Sequence, residues 1–370
     1  MRTGAAGIGT SRVLIVSGSV GAGHDGAARE LAARLERSGV DVQVRDFLDA
    51  VPRPVAALLR EGYPAAVGRA PHVFEFLFRR LERRGVLWGV EKLICTYATR
   101  ALARWAEAFG PDAVVATYPL AGQAIGMLRA DGRLEVPAHT YLTDPAVHVS
   151  WLHPAVDSHL TVTAATAVHG AAAYGVALDV AGPLVPERFS RRLPAGELAA
   201  LRAELASGEE RPLALLVAGS LGLGDLGATV EDVVAAGFTA VVLCGRNEGL
   251  RRSLAGPGVV ALGWRDDVHR LLQATDVLVQ NAGGLSFTEA LVAGLPAVTY
   301  RPIPGHGRAN ARVLDEAGLA PWARDRAELA RHLSAQAALG RTRHRFPDPA
   351  ELILGRPAAV PPALPPVIAA

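Results

Sequence analysis

Short runs of β-branched and aliphatic residues alternate with longer stretches of helical periodicity along nearly the whole chain. In the first half the runs are "RVLIVS", "VQVRDF", "AVVATY", "AHTYLT" and "HLTVT". The second half repeats the rhythm with "LALLVAG", "TAVVLCG", "GVVALG", "VLVQNAG" and "PAVTYRP". Strands apolar along their whole length belong to parallel sheets covered on both faces by helices. Two such series predict an α/β protein of two doubly wound, Rossmann-like parallel-sheet domains.

Both periodicities break in "AGPLVPERFSRRLPAGE", 181–197, where Pro183, Pro186 and Pro194 fall close together. The expected division is therefore a first domain over 1–189 and a second over 190–345. A Pro-rich tail is expected over 346–370, where seven prolines in 25 residues argue against a regular helix or central strand. Open α/β sheets bind ligands beyond the carboxyl ends of their strands, so the cleft between two facing sheets is the expected site.

Composition narrows the partners. Half of the 370 residues are hydrophobic and 20% are charged, enough apolar material for two buried cores. A net charge of +2 gives no reason to expect nucleic acid. Lys92 is the only lysine, so any phosphate contact falls to arginine, histidine or backbone N–H. Two cysteines without metal-ligand spacing fit a reduced, cytoplasmic setting. The opening "MRTGAAGIGTSR" has no signal-peptide core, and no run is long enough to span a bilayer.

The stretch "GSVGAGHDGAARE", 18–30, contains a literal G-x-G-x-x-G, and Asp46 lies twenty residues beyond Gly26. A dinucleotide fingerprint places its first glycine at the strand end, whereas here the loop is about three residues too long. An NAD(P)-binding regulator is thus one alternative, separable by whether NADH or UDP stabilises the protein.

The second half is more specific. After the run at 276–280 the chain turns through Asn281-Ala-Gly-Gly284 into a helix expected to open at Leu285 or Ser286. Adjacent glycines, unpaired N–H groups and the helix dipole make an anion site without lysine. Glu289, about one turn in, either accepts ribose hydroxyls or complements the dipole. "AGSLGLGDLG", 218–227, is a second glycine-rich strand-to-helix loop. "LCGRNEGL", 243–250, puts Arg246 and Asn247 at a carboxyl end, and backbone groups around Trp264 and Arg265 are placed to edge a base.

Taken together, "GWRDDVHRLLQATDVLVQNAGGLSFTEALVAGLPAV", then "PIPG" and Asn310, resemble the donor half of one glycosyltransferase family. It contains the monogalactosyldiacylglycerol synthases, the processive diacylglycerol glucosyltransferases and the peptidoglycan N-acetylglucosaminyltransferase. "CGRN" resembles the glycolipid branch, as do "GSVGAGHDGAAREL" and "YLTDPAVHVSWLHPAVDSHLTVT" in the first half. The resemblance implies a GT-B fold, a UDP-sugar in the C-terminal half as co-substrate, an acceptor in the N-terminal half, and no other cofactor. It implies that Gly283, Gly284, Leu285 and Ser286 cradle the diphosphate and Glu289 holds the ribose, with Gly219, Ser220 and Gly222 lining the donor. One place departs: where the family carries glutamine and a second polar residue after P-x-P-G, this chain reads His306-Gly307, leaving His306 to bond a sugar hydroxyl.

Inverting transfer needs a base for the acceptor hydroxyl. His24, in the loop after the first strand, is one candidate, and its ordinary pKa keeps neutral imidazole available. Asp144 in "LTDP" is the other, although with Pro145 behind it the residue also reads as a helix cap. With no D-x-D pair in the chain, transfer is expected to need no metal.

"HVFEFLFRRLERRGVLWGVEKL", 72–93, sets Phe74, Leu77, Phe78 and Leu81 at helical spacing among Arg79, Arg80, Arg83, Arg84 and Trp88. It reads either as a helix docking on an anionic membrane surface or as a core-facing helix with a solvated basic face. The expected acceptor is a diacylglycerol-like lipid at the inner face of the cell membrane, with a small hydroxyl compound as alternative. A UDP-N-acetylglucosamine 2-epimerase on a similar pair of domains would need no lipid surface.

Overall fold

The structure, a computed structural model, describes residues 11–69, 71–81, 85–217 and 224–356. The first half runs β1 (Arg12–Ser17), α1 (Ala22–Arg37), β2 (Asp41–Asp46), α2 (Arg53–Arg69), α3 (Pro71–Leu81), α4 (Val86–Phe109), β3 (Ala113–Ala116), α5 (Pro119–Ala130), β4 (Ala138–Tyr141), β5 (Ser158–Thr161), α6 (Ala164–Tyr174) and β6 (Asp179–Val180). The second continues with α7 (Ala195–Ala206), β7 (Leu213–Val217), α8 (Leu226–Ala235), β8 (Thr239–Leu243), α9 (Glu248–Ser253), β9 (Val259–Leu262), α10 (Val268–Ala274), β10 (Val277–Gln280), α11 (Leu285–Ala293), β11 (Ala297–Tyr300), α12 (His306–Glu316), β12 (Trp322–Ala323), α13 (Arg326–Leu339) and α14 (Pro349–Ile353).

Among the described residues the strands form two six-stranded sheets, ordered β2-β1-β3-β4-β5-β6 and β12-β11-β10-β7-β8-β9. Every strand pairing in them is parallel. Val13 to Val16 are at most 1% exposed although their side chains alternate between faces, as a strand covered on both sides requires. Five strands of each sheet are the ten apolar runs. The sixth of each, β6 and β12, is two residues long, too short to carry a period in the sequence.

One apolar cluster links the halves: Leu184, Val185 and Phe189 of the Pro-rich connection pack with β1 and α1 on one side and with Leu271, Leu278 and Phe287 on the other. Tyr141 fixes the start of this connection, donating its hydroxyl to the Gly182 carbonyl and accepting from the Leu184 N–H.

The C-terminal segment corrects the expectation of a tail without helix from residue 346. Pro349 stands at the first position of α14, where its missing N–H costs nothing, and Asp348 accepts from the Ala350 N–H. Ala350 and Ile353 are buried, and Asp348 pairs with Arg34 of α1 at 3.1 Å, so the segment packs back on the first half. Residues 357–370 lie outside the described residues.

Candidate active site

The turn after β1 enters α1 at Gly21, which caps the helix with extended backbone, so His24 stands in the first helical turn rather than in a loop. Its half-buried ring packs against Tyr118, 5.2 Å between centroids, and Trp151, 5.8 Å. His24 Nδ1 lies 2.8 Å from the Thr117 carbonyl and 3.2 Å from Thr143 Oγ1. A carbonyl can only accept, so Nδ1 carries the proton and Nε2 keeps its lone pair. Burial holds the imidazole below its ordinary pKa, against the opposing pull of Asp144, the Thr117 carbonyl and Asp25. The surroundings therefore favour the neutral imidazole over the imidazolium.

Asp144 follows β4 but does not cap a helix. The next turn, Val149–Trp151, is capped by His148, whose Nδ1 accepts from the Ser150 N–H at 3.2 Å. The Asp144 carboxylate is left to face three imidazoles. Burial pushes His148 down to about 4 and lowers His306, the first residue of α12; Asp144 opposes the fall in both.

Across the cleft, β10 ends at Gln280. Its Nε2 donates to Thr299 at 2.6 Å, which fixes the amide, and its Oε1 accepts from the N–H groups of Ala282 and Gly283. The loop's own donors, expected to be unpaired, are thus already used. No side chain caps the start of α11. The first N–H groups of α11 thus have no capping side chain, and with the helix dipole they form the positive end of the helix. Gly283 adopts φ +78°, and a Cβ there would lie 2.6 Å from Asn310 Cβ, so the turn needs glycine.

Glu289 lies beyond the first turn of α11, so the dipole reading does not hold for it. Burial raises its carboxyl to about 7, with Arg188 pulling the other way, and no hydrogen bond or ion pair engages it among the described residues.

Asn310 bolts the two halves together. It is 0% exposed; its Nδ2 donates to Asp144 Oδ1 at 3.1 Å and to the Ala282 carbonyl at 2.8 Å, and its Oδ1 accepts from the Ala146 N–H at 2.9 Å. One amide therefore joins the carboxylate of the first half to the phosphate-type loop of the second.

The chain is similar to proteins of known kind. Residues 24–176 match the family model for monogalactosyldiacylglycerol (MGDG) synthase. The processive diacylglycerol beta-glucosyltransferases of Bacillus thuringiensis (strain Al Hakam) and Bacillus cereus (strain AH187) are each 25% identical over 349 residues, 86% of this chain and 83% of theirs. The chain is similar to diacylglycerol glycosyltransferases over most of its length. Its fold is GT-B: Acinetobacter baumannii MurG superposes with a TM-score of 0.56 at 17% identity, over 94% of this chain and 98% of MurG. The glycosyltransferase of kitacinnamycin gives 0.59 at 17% identity, over 94% of each chain.

The residues carried over by resemblance do not all come together. Gly284 caps α11, Leu285 and Ser286 open it and Glu289 follows beyond the first turn, and Leu285 reaches α1, with its Cδ2 3.5 Å from where a Cβ on Gly26 would stand. Asn310, expected to touch the donor, has both its amide groups bonded within the protein and is not a ligand contact. Gly219, Ser220 and Gly222 lie outside the described residues.

Farther along the sheet, Asn247 caps α9 through the Leu250 N–H, and the Arg246 guanidinium lies 4.8 Å over the ring of the half-exposed Trp264. Gly307 gives the His306-Gly307 departure a steric cause. A Cβ there would stand 2.5 Å from Ile303 Cγ1 and 3.0 Å from the Asn281 carbonyl, so no side chain fits.

Sequence reasoning missed Gln280, whose role shows only once the loop's hydrogen bonds are traced. It also missed the use of α3. Phe78 packs 4.6 Å from the His148 ring, Gly305 lies against Phe74, and Glu75 accepts from the Gly305 N–H at 2.6 Å. Phe74 and Phe78 of the 72–93 segment therefore pack against Gly305 and His148, whereas Phe76 on the same helix is 55% exposed. The side chains of Leu77, Arg79, Leu81, Arg83 and Arg84 lie outside those described.

Proposed function

We propose that the protein transfers a hexose from a UDP-sugar to the hydroxyl of a diacylglycerol-like lipid, with inversion at the anomeric carbon. The observation that carries this reading is one juxtaposition. A histidine whose surroundings favour its neutral form lies beside a carboxylate, and that carboxylate is tied through Asn310 to the loop leading into an uncapped helix start.

In this reading His24 Nε2 takes the proton of the acceptor hydroxyl as its oxygen bonds to the anomeric carbon. The bond from that carbon to the diphosphate oxygen breaks, and UDP leaves with the bonding pair. Asp144 stabilises the imidazolium that forms, a division of labour that leaves both candidate bases with a role. The N–H groups opening α11 meet the charge on the diphosphate, so the step calls for no metal. Glu289 takes the ribose hydroxyls and His306 a sugar hydroxyl.

The lipid-facing surface in this reading is α4. Val86, Val90, Leu93 and Tyr97, spaced by four, three and four residues, are 49 to 86% exposed, and Lys92, Arg100 and Arg104 are exposed on the same helix. An apolar stripe with cations beside it suits an anionic bilayer surface. Among the described residues no helix is long and apolar enough to cross a membrane.

The test is a panel of UDP-, GDP- and dTDP-hexoses assayed for hydrolysis and for transfer to diacylglycerol in vesicles. Product formed from UDP-hexose and dependent on the lipid supports the reading; turnover from another nucleotide, or from none, overturns it.

A further inference from the structure

Beyond β11 and β12, away from the start of α11, a cavity of about 1060 Å³ opens between the second sheet and α3. Five arginines line it, at positions 301, 308, 312, 324 and 326, against three carboxylates. All three carboxylates are engaged. Asp325 caps α13 through the Glu328 N–H, and Glu75 accepts from Gly305. The side chain of Asp232, 7% exposed, accepts from Tyr300 Oη and Arg301 Nη2, each at 2.8 Å, and from Arg326 Nε.

That buried carboxylate organises the cavity wall. Burial pushes Asp232 up, but the bonds from Arg301, Tyr300 and Arg326 prevail and hold it below its ordinary range. Two guanidiniums are thereby fixed with further N–H groups left over. Arg301 takes a φ of +47°, a conformation costly for a residue with a Cβ, and outliers of this kind concentrate at binding and catalytic sites. The Arg324 guanidinium lies over Trp322, 3.4 Å from the ring centre.

Arg308 and Arg312 stand one turn apart on α12. The carboxylate nearest Arg308 is Glu75 at 3.9 Å, and Arg312 makes no ion pair among the described residues. Arg301 also pairs with Asp225 at 3.4 Å and Arg324 with Asp315 at 3.3 Å, so the under-paired guanidiniums at the cavity are those of Arg308 and Arg312, and two planar forks of donors there match a phosphate group.

We propose that this cavity is a second anion site, which binds a phosphate group other than the nucleotide's through Arg308 and Arg312, backed by Arg301, Arg324 and Arg326. It shares no residue with the start of α11 and stands whether or not the donor reading holds. Phe78 lines the cavity and packs on His148, so the bound phosphate lies beside the mouth of the cleft. The phosphate comes either from a soluble phosphorylated compound or from an anionic lipid headgroup.

The test uses the full chain and its Arg308→Ser/Arg312→Ser variant, titrated with inorganic phosphate by calorimetry in saturating UDP, and with vesicles of phosphatidylcholine with and without phosphatidylglycerol. The variant should bind phosphate or the anionic vesicles about tenfold or more weakly, with its UDP-dependent thermal shift unchanged. A difference already present with inorganic phosphate assigns a soluble ligand; one present only with anionic vesicles assigns a lipid. If the serine pair does not fold, Arg308→Lys/Arg312→Lys keeps the charge but loses the fork and should bind several-fold more weakly. Equal binding by the wild type and the folded variant in both arms overturns the proposal.

Discussion

Replacing Glu289 with glutamine separates stability from binding at one atom. Burial raises the Glu289 carboxyl from 4.5 to about 7, so the folded state holds a proton there that the unfolded chain has released. Between pH 4.5 and 7 the native state binds more protons, and stability falls as pH rises through that window. The full gap corresponds to about 3 kcal/mol, and partial exposure screens it to about 1–2 kcal/mol. Glu289→Gln should therefore raise the melting temperature at pH 8, by about 2–4 °C per kcal/mol for a domain of this size, and leave it unchanged at pH 4.5. UDP affinity should fall about tenfold or more, because a carboxylate accepts two ribose hydroxyls and an amide does not. In the wild type UDP should bind more tightly at pH 8 than at pH 6, since ionised Glu289 is the binding form. Scanning calorimetry with and without UDP measures both effects. A variant that is less stable at pH 8, or one that keeps the full UDP shift, refutes the reasoning.

Asn310→Ala should cost about 3 kcal/mol in stability, having stranded the Ala146 N–H and the Ala282 carbonyl, and should lower kcat about 10²-fold with UDP affinity changed far less. Thermal melts and steady-state kinetics read the two. The acid limb of kcat/KM should inflect below pH 6.5, because burial keeps His24 neutral there and only at lower pH does the base become charged; an inflection above 6.5 contradicts the assignment. Leu93→Glu with Tyr97→Glu should abolish co-sedimentation with anionic vesicles and leave UDP-hexose hydrolysis unchanged. His148, neutral until about 4, should make the native state lose stability as pH falls from 6.5 toward that value, and His148→Gln should flatten this limb of the melting curve.

The sheets were legible because the inner parallel strands are largely apolar, so each run in the sequence reads as one strand, whereas β2 at the sheet edge is polar at every second position. β6 and β12 were not, since two residues at a sheet edge have no period and exist only through their pairing. The donor loop was legible as chemistry: Gly283, Gly284 and Glu289 stand in order at a strand end. Its electrostatics were not, because Gln280 consumes the Ala282 and Gly283 donors through bonds that no spacing reveals. Asn310 was assigned to the donor for the same reason; its partners lie 164 and 166 residues away along the chain. The 72–93 segment looked amphipathic and is, but which partner covers an apolar face is settled by tertiary contacts, here Gly305 and His148. The Pro-rich end misled because Pro349 occupies the one helical position that tolerates proline.

The most direct test of the account is single-turnover transfer of labelled hexose from UDP-hexose to diacylglycerol in vesicles, comparing the wild type with His24→Ala. Loss of the base should slow the transfer step by about 10²–10⁴-fold while UDP binding is retained. Transfer at the wild-type rate by the His24→Ala protein would contradict it.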